Sequence, residues 1–323
     1  MNSYTSIVTG GAGFIGNYLT ERLLKDGHRV IAIDNLSSGK LENIQHLTCN
    51  PSLTSIKEDL KNPVVLKRFV EESKIIFHLA ANPEVRVGET SPRVHYEENI
   101  LATFNLLEAI RQAKTPKTIV FTSTSTVYGE ATKIPTPENY APLIPISTYG
   151  ASKLACEALI ASYANTFKHR ALILRLANII GPKSNHGVIP DFIKKININP
   201  KELEILGDGS QEKSYMHIKD CIEAIIHLTN KFLNGKETVD IYNIGSEDKI
   251  TVKEIAKIVA EEMGNPKIKL KCTGGIDGGR GWKGDVKTMQ LSINKLLSTG
   301  WKPKYTSKQA VKLATKALVR SLA

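Results

Sequence analysis

The chain has 323 residues, 41% of them hydrophobic, and a formal net charge of +11. This apolar content can bury the core of one large domain and a smaller one, which argues against a disordered chain. No run approaches the roughly 18 uninterrupted apolar residues of a membrane span, and the first predicted strand begins by Thr5, which leaves no space for a signal peptide. We therefore expect a soluble, cytoplasmic protein.

The first half of the chain alternates short β-branched runs with amphipathic helical stretches. Strands are predicted at residues 6–8, 30–33, 75–80, 118–121 and 171–175. Helices are predicted after a glycine-rich turn at residues 9–16, from about Val94 to Ala113, and from Ser152 to Phe167. This alternation predicts right-handed βαβ units and hence the α/β class, with a Rossmann-type, doubly wound parallel sheet.

Beyond Asn178 the pattern becomes irregular and rich in Pro, Gly and Asn. A strand at residues 203–206, a helix at 221–228, a strand at 240–243 and a glycine-dense loop at 274–284 are predicted. We expect residues 1–176 and about 216–245 to form the main domain. Residues from about 177–215 and 246–323 would form a smaller mixed α/β lobe.

The positive charge does not by itself indicate a nucleic-acid partner. The lysines are dispersed along predicted helices, and no arginine-rich block lies between aromatic residues. A solvated basic surface is the simpler interpretation, and its field would also attract dinucleotides and nucleotide sugars. The 4 cysteines lack a Cys-x-x-Cys spacing and the 8 histidines show no pairing at ligand intervals, so neither a disulfide framework nor a metal site is predicted.

The glycine-rich turn Thr9-Gly10-Gly11-Ala12-Gly13-Phe14-Ile15-Gly16 follows the first predicted strand and opens a helix. Gly10 permits a tight reversal, Gly13 lets the backbone approach a pyrophosphate, and Gly16 lets the helix pack on the strand. An ordinary turn is the alternative, but the strand before it and the helix after it favour a dinucleotide site.

Asp34 ends the second predicted strand, eighteen positions after Gly16. Its carboxylate can accept hydrogen bonds from both hydroxyls of an adenosine ribose and would repel a 2′-phosphate, which favours NAD over NADP. A solvated turn aspartate is the alternative. No Gly-x-x-x-x-Gly-Lys-Ser/Thr sequence occurs, so a P-loop nucleoside triphosphatase is disfavoured.

Tyr149 and Lys153 lie one helical turn apart, so both side chains can face one bound cofactor. A tyrosine acts as a base only after losing a proton with an ordinary pKa of ~10, so positive charge must favour the phenolate. Lys153 and a cationic nicotinamide can supply that charge, and Thr124 at a strand end can share the proton network. A chance Tyr-x-x-x-Lys on a helix surface is the alternative.

Three further segments accompany these motifs: Asn35-Leu36-Ser37-Ser38-Gly39, Ala80-Ala81-Asn82-Pro83-Glu84-Val85-Arg86 and Ser125-Thr126-Val127-Tyr128-Gly129. With them, essentially the whole chain resembles an extended short-chain dehydrogenase/reductase and is similar to archaeal-type UDP-glucose (UDP-galactose) 4-epimerases. The resemblance implies a Rossmann domain that holds NAD and a carboxy-terminal lobe that binds a UDP-sugar. It also implies a homodimer built from the helices at 94–113 and 152–167.

The resemblance also assigns individual residues. Those implied to bind the cofactor, besides Lys153 and the turn residues Gly10, Gly13, Phe14, Ile15 and Gly16, are Asp34, Asn35, Ser37, Ser38, Gly39, Asp59, Leu60, Leu79, Ala80, Ala81 and Asn99. Those implied to contact the UDP-sugar are Arg86, Thr124, Ser125, Thr126, Tyr149, Asn178, His186, Gly187, Val188, Lys213, Tyr215, Arg280, Asp285 and Met289.

Several of these positions depart from the pattern of relatives. Lys213 stands where relatives usually have arginine, so it would attract phosphate without a planar fork. Thr124 replaces a common serine and keeps the hydroxyl. Arg280 is shifted by two positions relative to bacterial relatives. Met289 falls where a residue bounds the hexose pocket, and its flexible thioether neither clearly admits nor excludes an N-acetyl group.

The two residues before Val127 and Tyr128 limit which reactions of a UDP-sugar the chain can catalyse. Related dehydratases carry an Asp-Glu pair there and decarboxylases a glutamate, whereas this chain has Ser125 and Thr126. Without a carboxylate, removal of a C5 proton or of the C6 hydroxyl has no evident acid or base. Oxidation at C4 and return of the hydride needs only Tyr149, its hydroxyl partner and NAD, so the expected reaction converts UDP-galactose to UDP-glucose through a transient 4-keto sugar.

The sequence leaves other substrates and other functions open. The substrate could instead be UDP-N-acetylglucosamine or UDP-glucuronate. Arg86 is the residue that leaves UDP-glucuronate as an alternative. A net nucleotide-sugar dehydrogenase or reductase would consume NAD or NADH stoichiometrically. A non-catalytic NAD sensor would have no use for an intact Tyr149, Lys153 and Thr124.

Overall fold

The structure, a computed structural model, describes residues 3–321. Its strands, in chain order, are β1 Thr5–Thr9, β2 Arg29–Asp34, β3 Leu53–Lys57, β4 Ile75–His78, β5 Thr118–Thr124, β6 Arg170–Leu176, β7 Asn178–Ile180, β8 Glu202–Ile205, β9 Glu212–Lys213, β10 Tyr215–His217, β11 Val239–Ile244, β12 Ile250–Thr251, β13 Lys269–Cys272 and β14 Thr288–Met289.

The helices alternate with these strands. In chain order they are α1 Phe14–Lys25, α2 Glu42–Gln45, α3 Pro63–Glu72, α4 Val87–Thr90, α5 Arg93–His95, α6 Ala102–Arg111, α7 Thr148–Phe167, α8 Val188–Ile198, α9 Ile218–Asn234, α10 Val252–Glu262, α11 Asn294–Leu297 and α12 Ser307–Arg320. A π-helical turn, Tyr96–Leu101, joins α5 to α6, and a 3-10 turn, Ser125–Tyr128, follows β5. Among the described residues, no helix has both the length and the apolar character needed to span a membrane.

Seven strands form one parallel sheet in the order β11-β6-β5-β4-β1-β2-β3. Val8 in the central strand β1 lies beside Ala32 of β2 and Phe77 of β4. Because helices cover both faces of such a sheet, its central strands are buried apolar runs. The strand order reverses between β1 and β4, which is where doubly wound sheets bind ligands at the carboxyl ends of their strands. The predicted Rossmann-type fold is confirmed.

The chain divides into two compact units. The sheet unit comprises Met1–Val127, Thr148–Arg175 and Ile225–Tyr242, and the lobe unit comprises Tyr128–Ser147, Leu176–Ala224 and Asn243–Ala323. The assignment of NAD binding to one predicted domain and of UDP-sugar binding to the other stays a prediction. The predicted domains also include residues 1, 2, 322 and 323, which lie outside the described part of the chain.

The lobe unit is built around three small sheets, β10-β7, β12-β9-β14 and β13-β8. Helices α8, α10 and α12 contribute Phe192, Ile255 and Val311 to its core. Helix α10 begins at a capping box in which Thr251 and Glu254 exchange hydrogen bonds, and α12 begins at an equivalent pair. These caps satisfy amides at the first turn of each helix.

Candidate active site

The glycine-rich turn forms a close-fitting cradle at the end of β1. Gly10 has a φ of 70°, and a Cβ added to it would lie 2.9 Å from the backbone nitrogen of Ala80, just after β4. The turn is held by a 2.8 Å hydrogen bond from the Gly10 amide to the carbonyl of Ile33. Helix α1 starts after Gly13 without any side-chain cap, and uncapped amides at a helix N-terminus are donors that suit an anion.

Asp34 closes β2 beside this turn. Its carboxylate accepts hydrogen bonds from the amides of Ala12 at 3.0 Å and Leu36 at 2.8 Å. Burial raises the pKa of Asp34, and these backbone donors act in the opposite direction. A Cβ on Gly39 would lie 2.8 Å from both carboxylate oxygens, so glycine permits the loop after β2 to approach Asp34 closely.

The other residues predicted around the adenosine lie at the ends of neighbouring strands. Asn35 Nδ2 donates to Asp59 Oδ2 at 3.0 Å, and the Ser37 amide donates to Asn35 Oδ1 at 3.0 Å. Ser38 continues the same loop, and Leu60 after Asp59 is buried. The structure therefore brings the loop after β2 and the segment after β3 together through Asn35 and Asp59.

A buried hydroxyl and imidazole network lies at the carboxyl ends of β1 and β4. Thr9 Oγ1 accepts from the amides of Leu79 and Ala80, both at 3.2 Å, and lies 2.8 Å from His78 Nδ1. The Nε2 atom of His78 lies 2.9 Å from Thr103 Oγ1. Burial, together with the Lys153 charge, lowers the pKa of His78 to about 3, so this imidazole is neutral. The network fixes the segment that continues into Ala81.

Asn99 joins that segment to α7. Its Oδ1 accepts from the amide of Asn82 at 2.8 Å, and its Nδ2 donates to Ser152 Oγ at 2.9 Å. Asn99 lies in the π-helical turn, so the helix predicted from Val94 to Ala113 is not a regular α-helix. A π turn inserts one extra residue and is frequent at functional sites. The inserted residue shifts the apolar pattern by one position, which is a weak signal in so short a segment.

The predicted catalytic tyrosine and threonine form a hydrogen-bonded pair. The Tyr149 hydroxyl is hydrogen-bonded to the Thr124 side chain, whose Oγ1 accepts from the Thr126 amide at 3.2 Å. Burial raises the pKa of Tyr149 to about 12, although the bond from Thr124 acts to lower it. Desolvation therefore dominates in the free protein, and the phenol is protonated at neutral pH.

Lys153 is buried one turn along α7 from Tyr149. Its side chain is only 2% exposed, and its Nζ lies 4.1 Å from the centre of the Phe121 ring. Burial lowers the pKa of Lys153 to about 8, against the opposing influence of Cys156 and Glu157. The ammonium is consequently charged at neutral pH, but at a cost in desolvation.

Sequence reasoning did not identify the ion pair one turn further along α7. Glu157 Oε2 lies 2.7 Å from Arg175 Nη2, and both side chains are at most 5% exposed. Ser123, next to Thr124, donates its hydroxyl hydrogen to Glu157 Oε1. The position of Glu157 four residues after Lys153 was the available signal, because residues at this spacing share a helix face.

His95 was also missed. Its ring lies edge-on to that of Tyr149 with centroids 5.7 Å apart, and its Nδ1 lies 2.9 Å from Thr148 Oγ1. Nothing in the local sequence of His95 signals this contact. Arg86, in contrast, is 53% exposed, and its Nε lies 3.3 Å from a carboxylate oxygen of Glu84.

In the lobe unit, Lys213 and Asp285 form a tight ion pair. The Lys213 Nζ lies 2.6 Å from Asp285 Oδ1, and the Asp285 side chain is 2% exposed. The other carboxylate oxygen of Asp285, Oδ2, accepts a 3.2 Å hydrogen bond from the amide of Gly281. Met289 lies directly beside Lys213 in the β14-β9 pairing, and burial followed by the Asp285 charge raises the pKa of Tyr215. Four predicted UDP-sugar residues are thus neighbours.

The remaining predicted residues of this unit lie on β7 and before α8. Asn178 is in register with Tyr215, and its Nδ2 donates to the carbonyl of Ser214 at 3.1 Å. Gly187 has a φ of 95° and precedes Val188, the first residue of α8. The carbonyl of His186 accepts a 3.3 Å hydrogen bond from Ser184 Oγ.

Comparison with known proteins decides the family. The model of the NAD dependent epimerase/dehydratase family matches residues 6–245. The chain belongs to this family. A solved UDP-galactose 4-epimerase is 43% identical with a TM-score of 0.86, covering 99% of this chain and 100% of that one. The UDP-glucose 4-epimerase of Mycolicibacterium smegmatis is 30% identical, covering 81% of this chain and 83% of its own.

A UDP-glucuronic acid 4-epimerase from Bacillus cereus, solved with UDP-glucuronic acid and NAD, is also similar. It is 28% identical with a TM-score of 0.85, covering 99% of this chain and 100% of that one. These findings confirm the resemblance to UDP-sugar 4-epimerases, and NAD is the cofactor of the family. The cradle fits that cofactor, because a side chain at Gly10 would fill the space beside Ala80 and the uncapped α1 amides suit a pyrophosphate.

Proposed function

We propose that this NAD-dependent epimerase family member interconverts UDP-galactose and UDP-glucose by inverting C4 of the sugar. The observation that carries this proposal is the hydrogen-bonded Tyr149 and Thr124 pair next to the buried Lys153. The residues after Thr124 are Ser125 and Thr126, so hydroxyls stand where dehydratases and decarboxylases of this type carry carboxylates. The set suits proton transfer at one hydroxyl.

The chemistry that a bound NAD would supply is hydride transfer, from C4 of the sugar and back to the opposite face of the transient 4-keto sugar. The residues proposed to hold NAD are those of the cradle at Gly10, Gly13 and Gly16, with Phe14 and Ile15 opening α1. Asp34 accepts hydrogen bonds from the adenosine ribose hydroxyls. Asp59 and Leu60 contact the adenine, and Lys153 donates to the nicotinamide ribose.

Tyr149 moves the proton. Its phenolate oxygen takes the proton of the C4 hydroxyl and later returns it, and Thr124 shares this proton through their hydrogen bond. Because burial raises the pKa of Tyr149 to about 12, positive charge must favour the phenolate during turnover. The Lys153 ammonium, charged below a pKa of about 8, contributes to that charge.

The lobe unit is proposed to bind the UDP portion. Lys213 and Arg280 bind the diphosphate, and Asp285 accepts from the uridine ribose. Asn178, Tyr215 and the segment His186-Gly187-Val188 line the diphosphate and sugar, with Met289 bounding the hexose. The tight Lys213–Asp285 pair at 2.6 Å supports this, because it holds a cation and a ribose acceptor side by side.

The test is a panel of UDP-galactose, UDP-N-acetylgalactosamine and UDP-galacturonate with the purified protein, the products being separated chromatographically. The proposal expects UDP-glucose to form fastest, with no added reductant and no accumulation of NADH. Faster conversion of either other sugar would transfer the assignment to UDP-N-acetylglucosamine or UDP-glucuronate. Stoichiometric consumption of NAD would indicate a dehydrogenase, and no product with any sugar would indicate an NAD-binding protein without this activity.

We also propose a homodimer formed through α6 and α7. Phe104 on α6 is 41% exposed and Phe167 on α7 is 38% exposed, and both pack edge-on against Tyr163. Aromatic side chains that remain exposed in a cluster favour a protein interface. Light scattering of the purified protein should give twice the monomer mass, and a monomer in dilute solution would reject this arrangement.

A further inference from the structure

Arg280, proposed above to bind the diphosphate, is engaged by an acidic side chain 150 residues earlier in the chain. Its Nη2 donates to Glu130 Oε1 and its Nη1 donates to the carbonyl of Asp277. The Nε atom is buried and has no hydrogen-bond partner among residues 3–321. Glu130 is 46% exposed and Arg280 is 21% exposed. The guanidinium is therefore partly satisfied by a carboxylate and retains an unused donor.

The backbone segment that carries Glu130 is held in place by contacts within the lobe unit. The preceding Gly129 has a φ of 61° and forms a bridge to Ile144, so its backbone fits where a side chain would clash. Tyr128 donates its hydroxyl hydrogen to Asn243 Oδ1 at 2.7 Å, and Asn243 Nδ2 donates to the carbonyl of Thr136 at 2.9 Å. The backbone around Glu130 is thus anchored while its side chain stays accessible.

The loop that carries Arg280 is also held in place. The backbones of Ile276 and Arg280 exchange hydrogen bonds of 3.0 and 2.8 Å. Lys287 Nζ binds the carbonyl of Gly278 at 2.7 Å and the carboxylate of Asp208 at 2.8 Å. The contact between Glu130 and Arg280 therefore joins two ordered segments of the same unit.

A carboxylate and a phosphate compete for the same donors of the Arg280 guanidinium. Arginine binds carboxylate and phosphate groups through the same fork of N–H donors, usually two at a time. A diphosphate that approached Arg280 would meet the negative charge of Glu130 on the same Nη2 group. Either the carboxylate leaves, or the diphosphate loses that donor and is repelled by a like charge.

We propose that Glu130 is an internal competitor for the diphosphate at Arg280, displaced when the nucleotide sugar binds and thereby setting the affinity of the site for nucleotides. This inference rests on the proposed function, which assigns the diphosphate to Arg280. It makes Glu130 a residue that sets affinity, because it weakens the binding of any anion at Arg280.

The experiment is a calorimetric titration of the NAD-loaded protein with UDP. Glu130→Gln removes the charge and keeps the size of the side chain, and it should lower the Kd for UDP by about two- to fivefold, the range expected of one exposed ion pair. Glu261→Gln is the matched control, since Glu261 is an exposed carboxylate of the lobe unit on α10 and the same unit charge is lost. It should leave the Kd unchanged.

The Arg280→Gln background separates competition from a general electrostatic effect. There, adding Glu130→Gln should give no further gain, because no guanidinium remains to be released. An unchanged or weaker affinity of Glu130→Gln, or a gain that persists in the Arg280→Gln background, would overturn the inference while UDP binding by the unaltered protein still supported the proposed function. Absence of UDP binding by the unaltered protein would overturn both.

Discussion

The two compact units treat their charged site residues differently. In the sheet unit, Tyr149 and Lys153 have pKa values moved by burial, to about 12 and about 8. In the lobe unit, Lys213 pairs with Asp285 at 2.6 Å and Lys287 with Asp208 at 2.8 Å. Burial keeps the Tyr149 phenol protonated and moves the pKa of Lys153 towards neutrality, whereas in the lobe unit each cation is held beside a carboxylate. This difference agrees with the proposal that the sheet unit carries out proton transfer and the lobe unit binds the UDP portion.

The largest effect should come from removing the phenol of the sheet unit. Tyr149→Phe should lower kcat by about 10²–10⁴-fold, the usual contribution of a positioned general base, while NAD remains bound. Steady-state assays with UDP-galactose would measure kcat, and quantitation of NAD released on denaturation would measure the bound cofactor. Tyr163→Phe, on the same helix, is the control and should retain activity. Full activity of Tyr149→Phe would overturn the assignment of the base.

The second prediction concerns the cost of burying Lys153. In cofactor-free protein, Lys153→Met should raise the free energy of unfolding at neutral pH by about 1–3 kcal/mol, because the buried ammonium is removed. The folded pKa of about 8 lies below the ordinary 10.5, so the unfolded chain binds more protons between these values. The stability of the unaltered protein should therefore rise with pH across this window and approach that of the variant.

Denaturant titrations at several pH values would measure this difference. A variant less stable than the unaltered protein at neutral pH would show that contacts such as the one with Phe121 outweigh desolvation. In that case burial would not distinguish the sheet unit from the lobe unit.

The smallest of these effects is expected in the lobe unit. Lys213→Met should raise KM for the UDP-sugar by about tenfold with kcat little changed, because a binding cation is lost and Asp285 is left buried without its partner. Lys213→Arg should restore most of the affinity through a planar fork. A loss of kcat at constant KM would contradict the division of labour between the units.

Much of the sheet unit follows from its sequence, since the buried strands are short apolar runs and the turn from Thr9 to Gly16 has a steric reason for each glycine. Strand β3 was not predicted because Leu53 to Lys57 lie at the sheet edge and mix polar with apolar residues on half-exposed positions. The π turn around Asn99 was missed because one inserted residue shifts the apolar pattern by a single position, which a short helix hides. The strand was predicted to span residues 75–80, but it ends at His78. Leu79 and Ala80 already belong to the loop after the strand.

The lobe unit was harder to predict for a different physical reason. Its strands are two to four residues long, and its defining contacts, such as Glu130 with Arg280, join charges far apart in the chain. Such pairing depends on where loops place their side chains, and no local pattern encodes it. The resemblance to known epimerases supplied Lys213 and Asp285 as site residues, but it did not show that they pair with each other or that Arg280 pairs with Glu130.

The central claim is that one hydrogen leaves C4 of the sugar and the same hydrogen returns. UDP-galactose carrying deuterium at C4, incubated with the protein in ordinary water and followed by mass spectrometry and NMR, tests this most directly. The account predicts UDP-glucose that retains the deuterium at C4 and carries none at any other carbon. Loss of the deuterium to water, or its appearance at another carbon of the sugar, would contradict it.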